Sequence, residues 1–275
     1  MDHQAETAPI ADSVTATLNF YVDDGTVPVN VVTEKGLERG GEYRAHALQI
    51  RDARPLRDSL SLSRQGFELW RHDTKVADFL DSDELARVYN PEVEELIKQA
   101  TGAARVVVFD HTIRIENEDA RTAKNLREPV LFVHNDYTKE SGPQRVRDFL
   151  PDEADELLKR RFAIVQVWRS IAGPVRTTPL ALCDAQTIAP GQLITAERRT
   201  KDRVGHTQCM TYRDDNRFFY VSDLRRDEAI LLKTFESDPA HHGGPSGHSA
   251  FANPNAPAGA EPRQSIETRA FAFFD

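Results

Sequence analysis

The second half of the chain leaves no room for long helices. From residue 163 it divides into eight short segments: AIVQVWRSI (163–171), PLALCDAQTI (179–188), QLITAERR (192–199), HTQCMTYR (206–213), RFFYVSDL (217–224), AILLKTFES (229–237), HSAFAN (248–253) and RQSIETRAFAFF (263–274). Each is rich in β-branched or aromatic residues and ends at a turn-forming cluster, which is the pattern of strands. So many strands in succession must stack as two sheets or close on themselves, because bare edges invite aggregation. The first half is mixed. VTATLNFYV (14–22), VNVVTE (29–34), YRAHALQI (43–50), GFELWRH (66–72) and ARVVVFDHTIRI (104–115) read as strands. Residues 81–103 read as a helix with Asp81 or Ser82 at its N-cap, a break at Pro91 and Gly102 at its C-cap, while 116–129 reads as a polar loop. Residues 141–162 read as two short helices divided at Pro151. The predicted fold is mainly β with helices: a double-stranded β-helix, or jelly roll, at 126–275, an α/β elaboration at 14–125 and a loose tail at 1–13, all in a single domain.

A net charge of −9 supplies no basic footprint for nucleic acid or an anionic membrane, and the pairs Arg160-Arg161, Arg198-Arg199 and Arg225-Arg226 are interleaved with acids. Two cysteines in 275 residues, Cys183 and Cys209, suggest reduced thiols rather than a disulfide framework. The N-terminus lacks the apolar core of a secretory signal, and no run reaches the length of a membrane-spanning helix. The expectation is a cytoplasmic protein acting on a small molecule, with no nucleic-acid or membrane partner and with room for a homo-oligomer.

LFVHNDYT (131–138) is the stretch that suggests chemistry. On a strand, residues i and i+2 share a face, so His134 and Asp136 would offer an imidazole nitrogen and a carboxylate oxygen side by side. With 9 His and 44 acidic residues, roughly one such H-x-[DE] arises by chance, so a third ligand is required. His206, His241, His242 and His248 are the candidates. His241 and His242 lie in a Gly/Pro-rich loop and His206 suits an edge, whereas His248 opens a strand at the end of a loop, where a rim ligand belongs. Two histidines and one carboxylate on one face leave three octahedral positions open, the arrangement of non-haem Fe(II) oxygenases. An organic acid bound there needs an anchor. Arg263 and Ser265 share one face of the last strand, and Arg269 lies further along it; a guanidinium fork holds a carboxylate bidentately.

The pattern His134-Asn135-Asp136 with Thr138, then His248, then Arg263-Gln264-Ser265 resembles the HxDxT…H…RxS signature of the Fe(II)/2-oxoglutarate-dependent oxygenases. More narrowly, QIRDAR (49–54), YNPEVEELIKQATGA (89–103), VVVFDHTIR (106–114), DEAILLKTFESD (227–238) and PRQSIETR (262–269) are similar to the CmcJ/AsaB-type hydroxylase/desaturase family. The resemblance implies iron at His134, Asp136 and His248, 2-oxoglutarate held by Arg263 and Ser265, O2 as oxidant, and hydroxylation, desaturation or a related C–H oxidation of a small secondary metabolite. It disfavours halogenation, since halogenases of the superfamily replace the carboxylate that Asp136 supplies. One departure is Gly247, where the family commonly has proline. Tyr137, Thr138 and Arg169 are further candidates for the pocket, with Arg169 directed into the barrel and Trp168 away from it. Lys233 is a lesser candidate for binding a carboxylate, and His111 reads as a hydrogen-bonded structural residue. The rival functions are a cupin-like metal enzyme that does not use 2-oxoglutarate and a non-catalytic jelly-roll binding module.

Overall fold

The computed structural model describes residues 13–33, 36–124, 126–241 and 243–275; His242 and the tail up to residue 12 lie outside them. In chain order the strands are β1 (Ser13–Val22), β2 (Val29–Thr33), β3 (Gly36–Glu38), β4 (Glu42–Asp52), β5 (Phe67–Arg71), β6 (Arg105–Ile115), β7 (His134–Asn135), β8 (Phe162–Ser170), β9 (Leu180–Cys183), β10 (Leu193–Arg199), β11 (Val204–Met210), β12 (Phe218–Tyr220), β13 (Glu228–Glu236), β14 (His248–Ala250) and β15 (Gln264–Phe273). They form a large sheet ordered β1-β4-β12-β9-β14-β7-β11-β10-β2-β3 and a smaller one ordered β5-β13-β8-β15-β6. This two-sheet jelly roll is the expected fold class. The boundary at 125/126 does not divide it, because β5 and β6 complete the small sheet and β1 and β4 extend the large one.

Burial follows from the layering. Along β1 buried and exposed residues alternate, as on a sheet with one wet face. Every residue of β8 is buried, because both of its faces are covered. On one side lies the inter-sheet core of Phe67, Leu69, Trp168, Leu182, Phe219, Ile230 and Leu232. On the other, Val165, Val167, Leu231 and Ile266 pack beneath Tyr89, Val93, Leu96 and Ile97 of the long helix. That helix comprises Ser82–Glu84, one π turn at Leu85–Tyr89 and Asn90–Thr101. Pro91 has no N–H to donate, so the local irregularity falls at the expected break. Gly102 ends the helix at φ 71°. Asp81 caps its start, accepting from the N–H groups of Asp83 at 2.9 Å and Glu84 at 3.2 Å. Asp81→Ala is expected to lower stability by about 1 kcal/mol and the melting temperature by a few degrees. An unchanged thermal transition would show that the cap contributes nothing.

Several elements depart from the sequence reading. A short helix, Glu118–Ala123, occupies part of the expected polar loop, and the Asn117 side chain accepts from the Ala120 N–H at its start. The segments 179–188, 217–224 and 248–253 contain much shorter strands than their composition suggests, because turns end β9, β12 and β14 early. The strand carrying the His-x-Asp pair is only two residues long, and Asp136 lies in the bend just beyond it.

Candidate active site

Register places the two histidines together. β14 runs antiparallel to β7 with His248 directly opposite His134, and cross-strand partners share a face. Asp136 follows at the bend, and one ligand atom from each of the three residues lies within 4.8 Å of the others. His134 Nε2 and Asp136 Oδ1 are 3.6 Å apart. The far side of each group is already committed. His134 Nδ1 meets the Phe132 carbonyl at 2.9 Å and His248 Nδ1 meets the Ser246 carbonyl at 3.1 Å. A carbonyl only accepts, so each Nδ1 carries the proton and each Nε2 presents a lone pair inward. Asp136 Oδ2 accepts from Gln166 Nε2 and, at 3.2 Å each, from two nitrogens of Arg269, which leaves Oδ1 facing the histidines.

The electrostatics match a cation site. Burial and the neighbouring His248 lower the pKa of His134 to about 3, and burial lowers that of His248 as well, so both rings stay neutral and able to ligate. Burial alone would raise the Asp136 carboxyl, but Arg269, the two histidines and the Gln166 hydrogen bond together outweigh it and hold the group well below the usual carboxylate range. Two neutral imidazoles and one ionised carboxylate, oriented by hydrogen bonds behind them, fit Fe(II).

The small sheet supplies the opposite wall, and its inner face is divided. Toward β13 and β5 it is apolar, through Trp168, Ile230 and Leu232. Toward β6 it is polar: Ser265, Glu267 and Arg269 on β15 stand beside Arg114, Thr112 and Asp110 on β6. Arg263 is buried at the end of this row. It donates from Nε to Ser265 Oγ at 2.9 Å and from Nη1 to the Thr178 carbonyl at 3.0 Å, and its guanidinium lies 4.7 Å from the Trp168 ring centre. No acidic side chain pairs with the Arg263 guanidinium among the described residues. Burial, with the charge of Arg114, pushes its pKa down to about 9. A buried cation lacking a counter-ion fits the distal carboxylate of 2-oxoglutarate. Arg269 is differently placed. It holds Asp110 at 2.8 Å, Asp136 at 3.2 Å and also Glu267, so its fork is already engaged. Lys233 pairs with Glu236 at 3.4 Å.

The remaining candidates separate clearly. Thr138 Oγ1 accepts the N–H groups of Glu140 at 3.2 Å and Ser141 at 3.0 Å, stapling the turn into the helix Ser141–Phe149. Tyr137 points away from the histidines, into a cluster with Phe162, Phe235 and Phe271. The expectation for Arg169 is corrected. It lies on the outer face beneath the long helix, donating to His72 Nδ1 at 2.5 Å with its guanidinium 5.3 Å from the Tyr89 ring centre, while Trp168 is the inward residue. Alternation separates two faces but does not say which is inside. His241 is exposed and pairs with Asp238, His206 stands opposite Glu197 in β11, and His111 bonds Thr268 and Asn90 as a structural residue. Gln166, which holds the carboxylate of Asp136, was not singled out from the sequence; an inward Trp168 implies it, since the two are i and i+2. Gly247 also has a local reason: a Cβ there would lie 2.7 Å from Met210 Sδ, so in this chain Met210 fills the space a proline ring would need.

The comparisons with known proteins point the same way. A family model described as an oxidoreductase/YMDC permease-like domain matches residues 18–273. The Fe(II)/2-oxoglutarate-dependent dioxygenase nvfI of Aspergillus novofumigatus is 31% identical over 240 residues, covering 84% of this chain and 84% of its own. The hydroxylase/desaturase CTB9 of Cercospora beticola is 30% identical over 256 residues, covering 85% of this chain and 78% of its own. The solved structure of the iron and alpha-ketoglutarate-dependent endoperoxidase NvfI superposes with a TM-score of 0.85 at 27% identity, over 95% of this chain and 98% of that one. Matched along most of its length in both sequence and shape, this chain belongs to the Fe(II)/2-oxoglutarate-dependent oxygenases, among their hydroxylase/desaturase members.

Proposed function

We propose that His134, Asp136 and His248 hold the iron of this oxygenase, that Arg263 and Ser265 anchor the distal carboxylate of 2-oxoglutarate, and that the reaction is hydroxylation, desaturation or a related oxidation of a C–H bond in a small secondary metabolite. The observation that carries the reading is the triad itself: three ligand atoms within 4.8 Å whose outer partners leave only their inner lone pairs available. When bound, iron and 2-oxoglutarate supply oxygen activation, with loss of CO2 and formation of succinate. The chain's own residues perform the positioning. Gln166 and Arg269 fix the Asp136 carboxylate in one orientation, and Trp168 forms an apolar wall against the Arg263 guanidinium. Thr138 and Tyr137 support the turn that carries Asp136 rather than touching substrate.

The relatives differ in outcome by name, dioxygenase, endoperoxidase and hydroxylase/desaturase, as expected when a shared hydrogen abstraction precedes the step that fixes the product. Residues 1–275 are read as one oxygenase domain. Cytoplasmic placement rests on two buried cysteines, neither in a disulfide; no helix among the described residues is long and apolar enough to cross a membrane.

The test is an anaerobic mixture of Fe(II)-loaded protein, 2-oxoglutarate and candidate metabolites, followed by exposure to oxygen. Succinate is expected only with oxygen, with one equivalent per oxidised product. Product formed at full rate without a 2-oxo acid would overturn the reading in favour of a cupin-like enzyme.

A further inference from the structure

The acidic chain carries a run of arginines at its active site that iron and 2-oxoglutarate do not account for. Arg127 forms a parallel bridge beside Arg114 on β6, and Arg114 stands beside Ser265 on β15, so the three follow one line across the small sheet. Two strand spacings, about 10 Å of backbone, separate Arg127 from the Arg263–Ser265 anchor. The facing wall has its own arginine. His134 stands opposite Cys209, and Cys209 opposite Ile194, so Arg198, four residues further along β10, shares the face that bears His134. Arg198 is half-buried, and Arg127, though more exposed, is still partly covered around its guanidinium.

These side chains act on one another. Burial lowers the pKa of Arg198, and the charges of Arg127, Arg145 and Arg269 lower it further, with Asp136 opposing them. Arg127 is lowered by burial and by Arg114 and Arg269. Nearby acids are spoken for: Asp110 and Glu267 bind Arg269, and Asp148 binds Arg145 at 3.4 Å and Arg203 at 2.6 Å. Glu128 acts on Arg127 only at a distance. Among the described residues no acidic side chain forms an ion pair with Arg127 or Arg198. Like charges held near one another repel, and an anion between them turns that repulsion into attraction. The segment from Arg127 to His134 also carries an exposed apolar side chain, Leu131, whereas Phe132 is buried with the Arg39 guanidinium 4.2 Å from its ring centre.

We propose that Arg127 and Arg198 bind a carboxylate of the substrate that is oxidised, so that the enzyme selects an acidic metabolite. This rests on the oxygenase reading above and names the substrate class for the same site.

The test uses anaerobic Fe(II)-loaded protein saturated with 2-oxoglutarate, so that the co-substrate anchor is filled, and two probes of equal shape, phenylacetate and phenylacetamide, followed by calorimetry. Wild type is expected to bind phenylacetate at least about tenfold more tightly than the amide, the difference a charge-assisted contact makes. The Arg127→Gln/Arg198→Gln double variant should lose that preference while its 2-oxoglutarate affinity stays within about twofold, and Arg→Lys at either position should keep part of the preference if the charge is what matters. Equal binding of the two probes by wild type, binding of neither, or a preference that survives in the double variant would overturn the proposal. A loss of 2-oxoglutarate affinity in the double variant would assign the arginines to the co-substrate and overturn it equally. Wild type that takes up no 2-oxoglutarate would sink the oxygenase reading instead, and the carboxylate preference would still be scored on the same protein.

Discussion

His248→Ala is expected to abolish tight Fe(II) binding, while His206→Ala leaves it intact. The two histidines start β14 and lie within β11, both neighbours of β7, but their geometry differs. His248 stands directly opposite His134 and is 3% exposed, with Nδ1 tied to the Ser246 carbonyl, so its Nε2 is aimed and neutral. His206 stands opposite Glu197, three residues from the position that faces His134. Loss of a residue that merely orients a ligand weakens metal sites by roughly ten- to a hundredfold, so loss of a ligand should exceed that range. Anaerobic titration with Fe(II), read by calorimetry, separates the outcomes. The fold should persist, because β14 is held by backbone pairing with β9 and its histidine lines an opening rather than the inter-sheet core. Near-normal iron uptake by the His248 variant, with loss in the His206 variant, would move the third ligand.

How far the sequence led depended on whether information was local. The eight late strands were legible because β-branched and aromatic runs bounded by turns encode a strand wherever they occur, and Asp81, Pro91 and Gly102 marked one helix through their own backbone chemistry. His134 and Asp136 were legible because two residues carry the pair. What failed was information held across the fold. Trp168 and Arg169 occupy opposite faces of β8, but β8 is buried on both, so hydrophobicity could not say which face was inside. The long helix decides it: Tyr89 and the backbone near His72 cover Arg169, leaving Trp168 to face the large sheet. Gln166 reaches Asp136 from thirty residues away in sequence and has no local signature. The role of Thr138 was within reach, since a Thr followed three residues later by Ser141 at a helix start is a turn-and-cap pattern, yet its place in the metal motif suggested the pocket instead.

Arg263→Ala is expected to raise the 2-oxoglutarate requirement ten- to a hundredfold with little change in iron binding. The loss of a bidentate charge-assisted contact costs about 1.5–3 kcal/mol. Lysine should recover only part of it, because an ammonium cannot present the planar fork. The same substitution has a second consequence in the protein without ligands. Arg263 is 3% exposed and has no ion pair among the described residues, and its pKa is pushed down to about 9 by burial. A base whose folded pKa lies below its unfolded value destabilises the fold whenever it is charged, and this penalty fades only as the pH rises through both values. At neutral pH the penalty is fully present, so removing the guanidinium should offset much of the packing lost against Trp168. The 2-oxoglutarate-dependent rise in melting temperature should behave oppositely. At a concentration of a hundred times Kd a ligand stabilises by about 2.7 kcal/mol, and a hundredfold weaker Kd cuts this to about 0.4 kcal/mol at the same concentration. Thermal unfolding of wild type and Arg263→Ala, each with Fe(II) under anaerobic conditions and with or without 2-oxoglutarate, therefore isolates the anchor from the fold. A variant that keeps the full ligand-induced shift would remove Arg263 from the role, and loss of that shift in Arg269→Ala alone would transfer the role to Arg269.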